Sequence, residues 1–154
     1  VSLTELVDRS NAIVIAEPTG EESAHPLPSG YGAADAAPVA YVTMRVTKVL
    51  GGGVSASEIQ VVSPGVNSLT GKQVLENGGP YLLFLAPAMY AANDPAGGYV
   101  VTGGPAGLYA SIKSGQFSRV DSLSPKLPST LTGSATELPK ITKSEKQLLA
   151  DGPR

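Results

Sequence analysis

The chain has 154 residues, 42% of them apolar and 16% charged, with a formal net charge of -2 and no cysteine. That length predicts one domain with a real core, and the charge leaves no electrostatic footprint for nucleic acid and no attraction to an acidic membrane surface. The missing cysteines exclude a disulfide framework, a thiolate nucleophile and a cysteine-zinc site together.

The first residue is Val1 rather than methionine, which predicts a start either after a removed leader that carried the address of the protein or inside a longer sequence. The longest apolar run, from Tyr81 to Ala92 and broken by Pro87, falls short of the ~18 to 20 residues that cross a bilayer. Ser2-Leu3-Thr4-Glu5 has the S-x-x-E form of a capping box, and Leu3, Leu6 and Val7 share an apolar side. A short helix from Leu3 to Arg9 is predicted there. Ala12 to Glu17 then reads as an apolar strand closed by Pro18.

From Thr19 to Pro38 the residues are small and polar, interrupted by glycine and proline, the composition of a long mobile loop. Loops of this length are either functional or disordered. Tyr31 is the residue in it suited to anchor a partner. His25, the only histidine, sits there beside Glu21 and Glu22, and one loop imidazole is far from a ligand set for a metal.

Val39 to Gly52 carries the longest strand pattern. Val42, Met44 and Val46 alternate with Tyr41, Thr43, Arg45 and Thr47, the period of two of a half-buried strand. Gly51 to Gly53 turn the chain, and Glu58 to Ser63 returns as a second strand ended by Pro64 and Gly65. Tyr41 and Arg45, on the outward side, form a candidate contact patch.

Gly65 to Gln73 comes near a phosphate loop, but five residues separate its glycines where four are needed, and glutamine follows the lysine. Asn77 to Gly79 reads as a turn. Tyr81 to Ala86 is continuously apolar, as in a strand buried on both faces. Ala88 to Gly98 reads as a loop, Tyr99 to Thr102 as a strand and Gly103 to Gly107 as a tight corner. Leu108 to Lys113 and Gln116 to Asp121 form a hairpin through Ser114-Gly115. The remainder to Pro139 is rich in Ser, Thr, Pro and Leu and reads as a tail laid on the surface or left free. Thr142-Lys143-Ser144-Glu145 is a second capping box, predicting a helical turn or two from Lys143 to Ala150. The division is thus a domain over 1–121 and a tail over 122–154.

Many short strands with no long amphipathic helix predict a small antiparallel barrel or sandwich. The succession Tyr41 to Gly52, Ile59 to Gly65, Gly79-Pro80-Tyr81-Leu82-Leu83-Phe84-Leu85 and Gly103 to Tyr109 resembles exported bacterial proteins related to the netrin-like, tissue-inhibitor-of-metalloproteinase type of OB fold. The resemblance spans about residues 3 to 120, and Gly79 to Leu85 is its most specific piece. It implies an all-β, OB-fold-like barrel with short terminal helices, and export. The chain departs from the pattern at Gly51, where lysine is expected, and in having Val1 where the animal inhibitors use an amino-terminal cysteine to reach the protease zinc.

No catalytic set emerges. A single histidine in a loop leaves no Ser-His-Asp constellation, no G-x-S-x-G is present, and Asp94 and Asp121 read as turn residues. With no Trp and most of its aromatics in apolar strands, the chain lacks the stacking platform of a single-strand nucleic-acid binder. The expected function is a non-enzymatic exported or cell-surface lipoprotein-like binding module without a cofactor. Its expected partner is another envelope or extracellular protein, with Tyr31, Tyr41 and Arg45 as the candidate surface, and membrane contact comes only through a lost amino-terminal anchor. The alternative is a peptidase inhibitor acting through a loop or the amino terminus.

Overall fold

A computed structural model describes residues 2–28, 36–63, 75, 79–120 and 125–152. The first helix, α1 (Leu3–Asp8), starts where the sequence places it. Ser2 Oγ accepts from Glu5 N at 3.2 Å and Glu5 Oε1 accepts from Ser2 N at 3.4 Å, satisfying amides that a helix start leaves unpaired. Hydrogen bonding to the Glu5 carboxyl from the Ser2 side chain, and second from the Ser2 backbone, holds it below its usual range.

Strand β1 (Ala12–Pro28) pairs with β2 (Ala36–Gly52), which pairs in turn with β3 (Glu58–Val62). Strand β4 (Tyr81–Ala91) pairs with the first part of β1, and β5 (Asp94–Val101) pairs with β4. A parallel rung between Val61 and Tyr99 joins β5 to β3. Among the described residues this closes part of a ring in the order β1-β2-β3-β5-β4 and back to β1. The expectation of a wholly antiparallel barrel is corrected at that one rung. Outside the ring, β6 (Leu108–Lys113), β7 (Gln116–Arg119) and β8 (Thr130–Thr132) continue the sheet from β4.

Alternation in β1 and β4 divides the core in two. Ala12, Val14, Ala16, Leu83 and Leu85 face a cluster with Val42, Met44, Ile59 and Val61, inside the ring. Ile13, Leu82 and Phe84 face the other way, into a cluster with Leu6 and Val7 of α1, Tyr109 and Phe117. Tyr81 to Ala86 is apolar without interruption because it is covered on both faces, as expected of that composition.

The structure also corrects three readings of loop and tail. The supposed loop over 19–38 is mostly strand: β1 runs through Pro18 to Pro28, and β2 begins at Ala36. Pro18 does not end β1 because its last rung with β4 is at Ala16, so no neighbour on that side needs the missing N–H. The loop over 88–98 is likewise a hairpin, with β4 reaching Ala91 and β5 starting at Asp94 across irregular register. Its turn is made by Asn93 at φ 61°, a backbone region asparagine tolerates better than most residues.

The third correction concerns the tail. Leu127, Leu131 and Leu138 are buried in the outer cluster, and the Tyr109 hydroxyl donates to Pro128 O at 2.7 Å. The outer face of β1 and β4 is broader than α1 alone covers, and these leucines complete the cover. The final helix, α2 (Glu145–Asp151), is capped by Ser144 with Gln147, two residues later than Thr142 would place it. Leu148 is its buried anchor.

Candidate functional site

At Pro18, β1 changes character. Up to Ala16 it has β2 on one side and β4 on the other. Residues 19–21 then bulge out of register, Thr19 Oγ1 donating to Thr43 O at 3.0 Å across the irregularity. From Glu22 opposite Val42 to Pro28 opposite Ala36, the two strands run on in unbroken register. The last bond from β3 reaches Ala40, whose carbonyl accepts from Ser63 N at 2.8 Å. Beyond it, among the described residues, β1 and β2 pair only with each other. The result is a two-stranded arm continuous with the barrel's own strands.

Of the three residues expected to form a contact surface, Tyr41 and Arg45 are described. Tyr31 lies outside the described residues. Tyr41 is on the side of β2 opposite the barrel interior, as alternation requires, yet it is 2% exposed. Its hydroxyl donates to Gly97 O at 3.1 Å, and burial, with Tyr90 second, pushes its phenol up from the ordinary value. The expected outward patch is corrected here because glycine lets β5 approach. Gly98 sits at φ 71°, and a Cβ on it would come within 3.0 Å of the Tyr41 ring and 2.7 Å of Gln60 O. Arg45 remains exposed and bonds Glu17 at 3.0 Å.

A separate cleft of about 430 Å³ opens between the turn at Gly52, Gly53 and Val54, Asn11, Tyr99 and the segment leading into α2. Its polar groups are mostly engaged or sealed. Ser144 Oγ and Gln147 Oε1 cap α2, at 3.2 Å and 2.9 Å from each other's backbone amides. Asn11 Oδ1 has no hydrogen-bond partner among the described residues and is closed off from solvent. What faces the opening includes Lys143, Glu145 and the Tyr99 phenol, raised from its ordinary value by burial first and by the Glu145 carboxylate second. This arrangement offers a protonated phenol beside one charge of each sign, a generic polar groove. No sequence pattern points to it, since its walls come from four distant segments.

Among the described residues no group of three or more His, Cys, Asp or Glu is placed to hold a metal ion. His25 lies in the arm, opposite Val39. The phosphate-loop near miss at 65–73 lies outside the described residues. The arm did have a sequence signal: Pro26 and Pro28 recur at a spacing of two, the period of a strand edge rather than of a loop.

No protein-family model matches the chain, and no curated protein or solved structure matches it.

Proposed function

We propose that the chain is a non-enzymatic, exported binding module that engages another protein through the arm formed by residues 22–28 and 36–42. The observation that carries this reading is the arm itself, a ribbon continued past the last rung it shares with other described strands. An isolated two-stranded ribbon is marginal in water, so a chain that keeps one on a well-packed base has a use for it. Binding elements held out by a rigid scaffold are a common arrangement.

The finer fold reading is an OB fold. A five-stranded, partly open Greek-key barrel defines that class, and the ring order with its parallel β3–β5 rung supports the assignment. Export rests on the sequence resemblance at Tyr41–Gly52 and Gly79–Leu85 alone, and function does not follow from fold.

The test is capture from an envelope extract with the purified domain as bait. A second bait has residues 26–38 replaced by Asn-Gly, which joins His25 to Val39 by a two-residue hairpin turn. A protein enriched on the first bait and absent from the second supports the arm as the binding element. Equal enrichment on both would move the site to the barrel.

A further inference from the structure

The ribbon pairs Pro26 with Pro38. In an antiparallel ladder, opposed residues alternate between pairs that exchange hydrogen bonds and pairs whose N–H and C=O point outward. Proline has no N–H, so the Pro26–Pro38 pair is of the outward kind. With unbroken register from Glu22 to Pro28, every neighbour is then fixed. His25 with Val39 and Leu27 with Ala37 bond across the ribbon. Glu22, Ala24, Pro26 and Pro28 turn their backbone groups to one edge, and Ala36, Pro38 and Ala40 turn theirs to the other. The bond from Ser63 N to Ala40 O obeys this parity, since it leaves the ribbon on the β3 side.

Open strand edges are templates for the addition of another chain. Here Pro26, Pro28 and Pro38 occupy outward positions on the two edges, so an arriving strand meets carbonyls but few donors for its own carbonyls. Nearer the barrel, the bulge at 19–21 breaks the line of the edge, and Glu21 and Glu22 are exposed beside it. Bulges, edge prolines and charges each discourage pairing.

We propose that the ribbon is built to refuse a third strand, with Pro26, Pro28 and Pro38 closing its edges. This stands on the register alone.

Changing all three residues, Pro26→Thr, Pro28→Thr and Pro38→Thr, restores three outward donors in a residue type that suits strands. Light-scattering mass across a wide concentration range should show the variant at twice the native chain's mass or more. A variant that keeps the native mass while its circular dichroism matches the parent overturns the proposal. Should the triple variant misfold, the single changes are measured in the same way. Hydrogen exchange on the native chain adds a test without mutation: amides of His25, Leu27, Ala37 and Val39 should exchange slowly and those of Ala24 and Ala36 fast. Slow exchange at Ala24 and Ala36 would mean a paired edge and would overturn the proposal. These readouts do not depend on the capture experiment, so the two ideas can fail separately.

Discussion

From Ala12 to Ala16, β1 is flanked by β2 and β4 and covered on both faces; from Pro18 to Pro28, among the described residues, it has β2 alone. The two halves differ as sharply in composition, Ala-Ile-Val-Ile-Ala against Pro-Thr-Gly-Glu-Glu-Ser-Ala-His-Pro-Leu-Pro. A central position needs every N–H for its ladders and apolar groups on both faces, which β-branched residues supply. An edge position tolerates proline and is safer with charge. Neighbourhood in the sheet, and not membership of a strand, is what the residues of β1 record.

The largest expected contrast comes from shortening side chains in the first half. Ile13 is 1% exposed and packs in the outer cluster, so Ile13→Ala should cost about 2–5 kcal/mol, by loss of transfer energy and the cavity left behind. Urea unfolding would report it as a lower midpoint at unchanged slope. Replacing residues 26–38 by Asn-Gly should leave that midpoint close to the parent's. If it falls as far as in Ile13→Ala, the arm is part of the barrel's cooperative unit and the contrast dissolves.

The same contrast explains which parts of the fold could be read in advance. Tyr81 to Ala86 was legible because burial on both faces leaves one unbroken apolar run, and the Leu108–Lys113 hairpin because Ser114-Gly115 marks its turn, with Gly115 at φ 75°. The arm was misread as a loop because proline and glycine usually end strands. Only the spacing of Pro26 and Pro28 separates an edge from a loop. Tyr41 was placed on the correct face with the wrong exposure, since alternation reports direction and cannot report that Gly97 and Gly98 let another strand lie over it. The leucines of the last third looked like a surface tail because Leu127, Leu131 and Leu138 follow no period and are ordered by the face they cover.

That cover supplies the second test, of intermediate size. Tyr109 is fully buried, its ring centroid 6.3 Å from that of Phe84, and its hydroxyl ties β6 to Pro128. Burial pushes its phenol from the ordinary 10 up to about 12, opposed in part by Arg119. A folded value above the unfolded one means stability that is complete below pH 10 and lost as pH rises toward 12. Over that window the loss should approach about 2–3 kcal/mol at ~1.4 kcal/mol per unit. Tyr109→Phe should remove this alkaline loss while costing about 1 kcal/mol at neutral pH for the missing hydrogen bond. Urea midpoints at neutral pH and near pH 11, for parent and variant, decide it. Burial also raises the Tyr41 and Tyr99 phenols, so a smaller loss should persist; a loss undiminished in the variant would place its origin elsewhere and would detach the C-terminal cover from the behaviour of the doubly covered strands.

The smallest effect is expected at the seam between the halves. Glu17 follows the last rung with β4, stands opposite Arg45, and bonds it at 3.0 Å with side chains 36% and 59% exposed. Two long side chains held in one geometry in water gain little, so Arg45→Ala should cost about 0.2–1 kcal/mol. The cost should also shrink with added salt, which screens charges that solvent can reach. Urea midpoints at low and high salt measure both. A loss well above that range and indifferent to salt would mean that the pair holds the bulge at 19–21 in place. The step from central strand to arm would then be fixed by a charge pair at Glu17 and Arg45. A small, screened loss leaves it fixed by where β4 begins, at the Ala16–Tyr81 rung.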